Sequence, residues 1–155
     1  MQLKEQITRF TTNLFLEHPI RALSLAQLRG EMVTLGKQLE ERLPTIPDTE
    51  RNRHFLRHII GQERWMQARL RWALGAARIM EESDGYYPAK ELSWQVLAEE
   101  FRKTRQESIA LAEELEQAGV DGGTFLPHNQ LGDLSVRAWL RYLTQHAHLE
   151  SKRIR

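Results

Sequence analysis

The chain has 155 residues, 22 Lys and Arg against 21 Asp and Glu, and no cysteine. This length suits one domain with a full core, and the balanced charge without long like-charge runs argues against a general nucleic-acid or membrane-surface binder. The absence of cysteine excludes disulfides and a protein thiol nucleophile. No signal-peptide core or membrane-length apolar run is seen, so we expect a soluble cytoplasmic protein.

The spacing of apolar residues predicts helices along most of the chain. The first covers residues 3–14 and ends at Pro19, and the second covers residues 25–39 and stops at the prolines of "LPTIPD". A long third helix runs from about residue 49 to the region of Gly75, and "EESDGYYPAKEL" forms a polar connection. The fourth helix, residues 94–115, keeps the 3-4 spacing through six steps.

The last helix comes after the Gly- and Pro-punctuated stretch "AGVDGGTFLPHNQLGD", which we predict to be a loop. We expect this helix to begin near Asp133, acting as its N-cap. No strand pattern is present. Four longer helices with a 3-4 seam, plus a short N-terminal helix, predict an all-α four-helix bundle in one domain, residues 1–155.

Two ionisable residues lie within the apolar arc of the last helix. His146 and Glu150 are about 40° apart on a helix of ~3.6 residues per turn, beside Trp139 and Leu143. An unpaired carboxylate in a core is costly, so the pair needs a reason. A buried His–Glu hydrogen bond is one reason. A metal site is the other, because imidazole and carboxylate side chains four residues apart suit zinc, nickel, manganese or ferrous iron.

A second histidine cluster lies in "RHFLRHIIGQERWMQARLRW" on the third helix. His54 and His58 are four residues apart, and His58 falls at the edge of the apolar arc, able to reach inward. One ligand from this helix and two from the last would form a facial triad with open coordination positions. Thr104 and Ser108 occupy seam positions where small residues leave room for a pocket, although core Thr and Ser are also common.

Three segments resemble the DinB/YfiT-like superfamily. "FLRHIIGQERWM" looks like its second-helix motif, in which a histidine is followed five residues later by glutamate and then by tryptophan. "WLRYLTQHAHLESKRI" is similar to its last-helix motif, and "GYYPAKELSWQVLAEEFRKTRQES" resembles the entry into its third helix. The resemblance covers roughly residues 25–154.

The resemblance implies an up-down-down-up four-helix bundle, often a homodimer, that binds a divalent metal through three histidines. Carried over by position, the first ligand maps to His58 and the second to His146. The third histidine maps to Glu150, a departure that changes the charge and the metal preference of the site. His54 and His128 are reserve ligands, and Glu63 with neighbouring residues of the motifs, Gln62 and Tyr142, are second-shell candidates.

Some members of that superfamily are S-transferases that use low-molecular-weight thiols, and others are described as metal-dependent hydrolases. We therefore expect a metal-dependent enzyme acting on a small molecule with a metal-activated thiol or water. The alternative is a non-catalytic, stress-associated binding or interaction protein, with the aromatic stripe of Trp65 and Trp72 in the core or on a dimer face.

Other sites found in helical proteins are excluded by motif. A ferritin-like di-iron site needs Glu-x-x-His on two helices, and none of the six histidines has Glu three residues before it. The zinc-protease motif His-Glu-x-x-His is also absent, and no nucleic-acid-binding module is recognisable.

Overall fold

The computed structural model describes residues 3–155, which are mostly helical. The five helices are α1 Leu3–Thr12, α2 Leu25–Arg42, α3 Glu50–Leu70, α4 Trp94–Gln117 and α5 Val136–Ser151. This confirms the five predicted helices. Within residues 3–155, no helix combines the length and apolar character needed to cross a membrane.

Each of the four longer helices begins after a Ser or Thr N-cap. Ser24, Thr49, Ser93 and Ser135 each accept a hydrogen bond from the backbone N–H three residues later. At α2 the Gln27 side chain also accepts from the Ser24 backbone N–H, which completes a capping box. These caps satisfy backbone donors that have no partner inside the helix, so the starts are specified locally.

The segment predicted to be a loop contains a β-hairpin, so the prediction of no strands was wrong. Strand β1 is Phe125–His128 and strand β2 is Gly132–Ser135, paired antiparallel. Asp133 lies in β2 opposite Pro127 and is not the N-cap of α5; that cap is Ser135. Four-residue strands that carry Pro127 or Gly132 have weak β propensity, and the Leu126 carbonyl accepts a hydrogen bond from Trp139 Nε1 of α5 at 3.1 Å.

The core consists of two clusters at opposite ends of the long helices. The first joins the early part of α2 to the later parts of α3 and α4 and the early part of α5, including Met32, Met66, Leu115 and Trp139. The second joins the late part of α2 to the early parts of α3 and α4 and the end of α5, including Leu39, Ile59, Phe101 and Ala147. Helix α2 packs on α4 and α5, and α3 packs on the same two helices.

The aromatic stripe of α3 belongs to the core. Trp65 and Trp72 are 4% and 7% exposed and lie in the first cluster. The Arg69 guanidinium lies over the Trp65, Trp72 and Trp139 rings and donates to Asn129 Oδ1 at 3.0 Å. The core interpretation of the stripe is confirmed, and the stripe also anchors the hairpin region.

Helix α1 lies beside the hairpin at the end of the protein formed by the first core cluster. Thr12 Oγ1 donates to the Leu131 carbonyl at 3.5 Å, and the Glu17 carboxylate accepts from the Ser135 N–H and hydroxyl at 2.8 and 2.7 Å. The helix is amphipathic as predicted. Its apolar side is nevertheless exposed, with Leu3 and Phe10 at 71% and 69% exposure.

The small seam residues of α4 make room for a buried polar network. Arg105 binds both carboxylate oxygens of Glu63, at 2.8 and 2.9 Å, and the Ser108 hydroxyl donates to the same carboxylate at 2.7 Å. Gln67 donates to the Thr104 carbonyl and to Ser108 Oγ. The space in which a pocket was expected is therefore filled by paired polar side chains from α3 and α4.

Glu63→Gln is expected to lower the free energy of unfolding by about 3–5 kcal/mol, because it leaves the Arg105 guanidinium buried without its carboxylate. Urea unfolding followed by circular dichroism measures the change. The control is Arg102→Gln on α4, the helix that carries Arg105; it breaks the exposed Arg102–Glu99 pair and should leave stability nearly unchanged. Equal urea midpoints for Glu63→Gln and the wild type would contradict this role of the buried pair.

Candidate functional site

His58 of α3 and His146 of α5 meet between the two helices. Their ring centroids are 5.1 Å apart, with planes inclined at 57°. Both side chains are half-buried. The structure thus brings together the two histidines that lie on different helices and are 88 positions apart in the chain.

Core packing and a clamp at the chain end hold these helices in register. Ala147, next to His146, packs in the same core cluster as Ile59, next to His58. The buried Asn52 side chain, early in α3, donates to the Arg155 carbonyl at 2.6 Å and accepts from the Arg155 N–H at 3.1 Å. These contacts fix the end of α5 against the start of α3, where the two imidazoles face each other.

Glu150 lies at the rim of this site. Its side chain is half-buried, and one carboxylate oxygen accepts from Arg153 Nη1 at 3.2 Å. Arg153 in turn lies over the Phe55 ring, 4.5 Å from its centroid. The carboxylate is therefore paired and partly hydrated, which explains how it is tolerated on a largely apolar helix face.

Tyr87 is the site residue that the sequence did not reveal. Its hydroxyl lies 2.7 Å from His58 Nδ1 and accepts from Gln62 Nε2 at 3.1 Å. Gln62 also donates to Ser83 Oγ at 2.7 Å, so the connection before α4 is tied to α3 through this group. Because the Tyr87 hydroxyl occupies Nδ1, Nε2 is the nitrogen of His58 available to a further ligand.

Gly61 is required for this arrangement. A Cβ at position 61 would lie 1.9 Å from Tyr87 Cδ1, so the tyrosine ring packs directly on the α3 backbone. A glycine inside a long helix is the one sequence signal for such a close approach. The glycine does not indicate which residue approaches the helix. That residue, Tyr87, lies 26 positions later in an irregular segment.

Burial keeps both imidazoles neutral at neutral pH. It lowers the pKa of His146 to about 4; the nearby His58 adds to this lowering, and the Glu150 charge opposes it. Burial also lowers the pKa of His58, again opposed by Glu150. Neutral imidazole is the form that binds a metal ion, so the two rings need not lose a proton to act as ligands.

His128 is half-buried near the site, and its ring is bound to the hairpin turn. Its Nδ1 accepts from the Gln130 and Leu131 backbone N–H groups at 3.0 and 3.1 Å, which places the proton of the neutral ring on Nε2. That Nε2 atom is buried and has no hydrogen-bond partner among residues 3–155. The ring is stacked on Trp139, with centroids 5.2 Å apart, and would have to lose the Nε2 proton before binding a metal.

The remaining candidates differ in their placement. His54 is exposed one turn before His58, and Glu63 is buried within the Arg105 network and has no free oxygen directed at the histidines. Tyr142 lies edge-on to His146, with ring centroids 5.9 Å apart. Burial and then the Glu150 charge raise the pKa of Tyr142, so its hydroxyl stays protonated.

The donor set partly suits a divalent cation. Two neutral imidazoles meet, and His58 Nδ1 has an orienting partner. One oxygen of the Glu150 carboxylate is already bound to Arg153. Within residues 3–155, no group of three or more His, Asp or Glu side chains has the arrangement of a metal site.

Comparison with protein-family models, with curated proteins and with solved structures finds no match for this chain. The DinB/YfiT-like resemblance therefore stays a prediction that depends on the three short motifs. The geometry of the His58–His146 site and its neighbours is the remaining guide to function.

Gly61→Ala is expected to lower the free energy of unfolding by about 1–3 kcal/mol, because the new methyl group overlaps the Tyr87 ring. The control is Gly30→Ala in α2, where nothing lies within 4 Å and the alanine should stabilise by about 0.5–1 kcal/mol. Urea unfolding distinguishes the two signs. Stabilisation of similar size by both substitutions would show that Tyr87 does not pack on Gly61.

The free energy of unfolding should fall as the pH is lowered from about 6.5 to 4. In this range a histidine of the unfolded chain binds a proton, whereas the half-buried rings of His58, His128 and His146 stay neutral in the folded protein. For His128, burial and then the Arg69 charge lower the pKa to about 4, against Glu82. In His128→Asn, which keeps an acceptor near Nδ1, we expect a shallower pH dependence in urea unfolding. His54→Asn controls for the loss of one histidine. The same dependence of the free energy of unfolding on pH in His128→Asn and the wild type would show that His128 does not have a lowered pKa.

Proposed function

We propose that this protein is a divalent-metal-dependent enzyme of the DinB/YfiT-like kind, either a thiol S-transferase or a hydrolase. The observation that carries the proposal is the meeting of two neutral imidazoles, His58 and His146, from different helices. The Tyr87 hydroxyl is the described hydrogen-bond partner of His58, and the other ring nitrogens of the pair stay accessible to a ligand. A divalent cation bound at the free nitrogens would satisfy both rings.

The proposal includes an up-down-down-up four-helix bundle formed by α2 to α5. It is supported by the two core clusters. One cluster holds the beginnings of α2 and α5 with the ends of α3 and α4, and the other holds the opposite ends. In such a bundle α3 and α5 are antiparallel neighbours, so that inward side chains at matching heights face each other.

His58, His146 and Glu150 would hold the ion, which is zinc, nickel, manganese or ferrous iron by ligand type. When bound, such an ion lowers the pKa of a coordinated water or thiol and so supplies a nucleophile at neutral pH. Any thiol comes from a small molecule, because the chain has no cysteine. Tyr87, supported by Gln62, orients His58, and the Tyr142 ring limits the access of water to His146.

A second candidate function is supported by the Glu150–Arg153 pair. Because this pair neutralises the carboxylate within α5 and the turn after it, the protein does not require a cation at this place. The protein would then be a non-catalytic binding or interaction protein of the helical-bundle class. A homodimer and a cytoplasmic location belong to both candidates, and the exposed apolar residues of α1 favour contact with another protein surface.

Elemental mass spectrometry on untagged protein tests the metal proposal. After incubation with zinc, nickel, manganese or ferrous iron and removal of excess ion, we expect about one equivalent in the wild type and in His54→Ala. His58→Ala and His146→Ala should lose the ion. His54 is the matched control because it lies on the same helix, one turn away and exposed.

Arg153→Gln sharpens the test. This substitution releases the Glu150 carboxylate from Arg153 and should tighten metal binding by about tenfold. The metal then no longer competes with a surface ion pair and its charge-assisted hydrogen bond. Calorimetric titration with zinc measures the dissociation constant. Equal metal content in wild type and His146→Ala, or none in any protein, would refute the metal centre and favour the non-catalytic candidate.

A further inference from the structure

A concave site lies between α2 and α5. It is a cavity of about 240 Å³ with an apolar wall that includes Leu39 and Ala147 and a rim that includes Arg42 and Lys152. His146 and Glu150 are on another side of α5, since Lys152 is about 160° from Glu150 at ~3.6 residues per turn. The cavity is thus separate from the His58–His146 site, and ligand binding in it is independent of the proposed metal chemistry.

The charges around this cavity are of one sign. Its lining contains Arg42, Arg105 and Lys152 and no carboxylate. The Arg105 charge is already balanced by Glu63. Among residues 3–155, neither Arg42 nor Lys152 forms an ion pair, so two cations at the rim have no carboxylate partner.

Arg42 is held in place for binding. One of its terminal nitrogens donates to the Ser151 carbonyl near the end of α5, which fixes the guanidinium across the rim. A guanidinium has five N–H donors, so this bond leaves others for an anion. A side chain that is already ordered loses less conformational entropy when it binds, and this favours recognition by Arg42 over recognition by a free surface arginine.

We propose that this cavity binds a small organic carboxylate that carries a short apolar chain. The carboxylate lies between Arg42 and Lys152, where charge-assisted hydrogen bonds replace its hydration. The apolar chain lies against Leu39 and Ala147, both of them core residues whose surfaces form the cavity wall. Neither the carboxylate nor the apolar chain alone gives strong binding, because a single exposed ion pair contributes little and a cavity this small buries little apolar area.

The test is isothermal titration calorimetry with four probes. Hexanoate combines both features, hexan-1-ol lacks the charge, acetate lacks the chain, and inorganic phosphate supplies charge without apolar surface. We expect saturable binding of hexanoate and binding at least about tenfold weaker for each of the other three. Equal affinity for hexan-1-ol would show that the cavity recognises only the apolar chain. Equal affinity for phosphate or acetate would show that it recognises only the negative charge. Either result overturns the proposal.

Substitutions locate the site. Arg42→Gln should weaken hexanoate binding by about tenfold, and Lys152→Gln, at an exposed position, by about two- to fivefold. Lys152 is exposed, so its variant tests the proposal even if the Arg42 variant loses stability with its Ser151 contact. Lys37→Gln on the exposed side of α2 and His146→Ala at the other site should bind hexanoate like the wild type. No loss in Lys152→Gln, or a loss only in His146→Ala, would overturn the assignment to this cavity.

Discussion

The buried ion pair between Glu63 and Arg105 is the interaction on which the arrangement of the helices depends. Both side chains are almost completely inaccessible, and the guanidinium binds both carboxylate oxygens. A bidentate pair in a low-dielectric interior tolerates little displacement, because each partner is strongly destabilised without the other. It therefore fixes the rotation and the height of α3 against α4. With α3 fixed in this way, His58, five residues before Glu63, is directed towards α5.

Burial also determines the charge of the side chains at the candidate site. Burial keeps the His58 and His146 imidazoles neutral and leaves them side by side, while the Glu150 carboxylate at the rim pairs with Arg153. The cavity between α2 and α5 has the opposite character, because its rim cations Arg42 and Lys152 form no ion pair within residues 3–155. Neutral imidazoles and cationic side chains thus lie on different sides of α5.

Much of the fold could be predicted because its signals are local. The 3-4 spacing identified the five helices, and a Ser or Thr immediately before each long helix marks its start. The inward placement of His58 and His146 also follows from helix periodicity. Asp133 was misplaced because Ser135, two residues later, is an equally good cap and the hairpin occupies the residues before it.

The parts that could not be predicted depend on contacts between distant residues. Tyr87 reaches His58 from an irregular segment, and only Gly61 signals that something approaches the helix there. The role of Thr104 and Ser108 depends on Arg105 between them, a charged residue that periodicity alone assigns to the surface. The exposure of the apolar side of α1 is likewise a tertiary property, since the same spacing describes a buried helix.

Anomalous X-ray diffraction from crystals grown with zinc would show whether His58 and His146 form a metal centre. We expect a peak between the two rings at Zn–N distances of about 2.0–2.1 Å, with the Glu150 carboxylate turned from Arg153 towards the ion. Zinc found only at the exposed His54, or no peak near the two rings at saturating zinc, would rule the metal centre out. In that case His58 and His146 would be a structural pair in a protein whose function lies in what it binds.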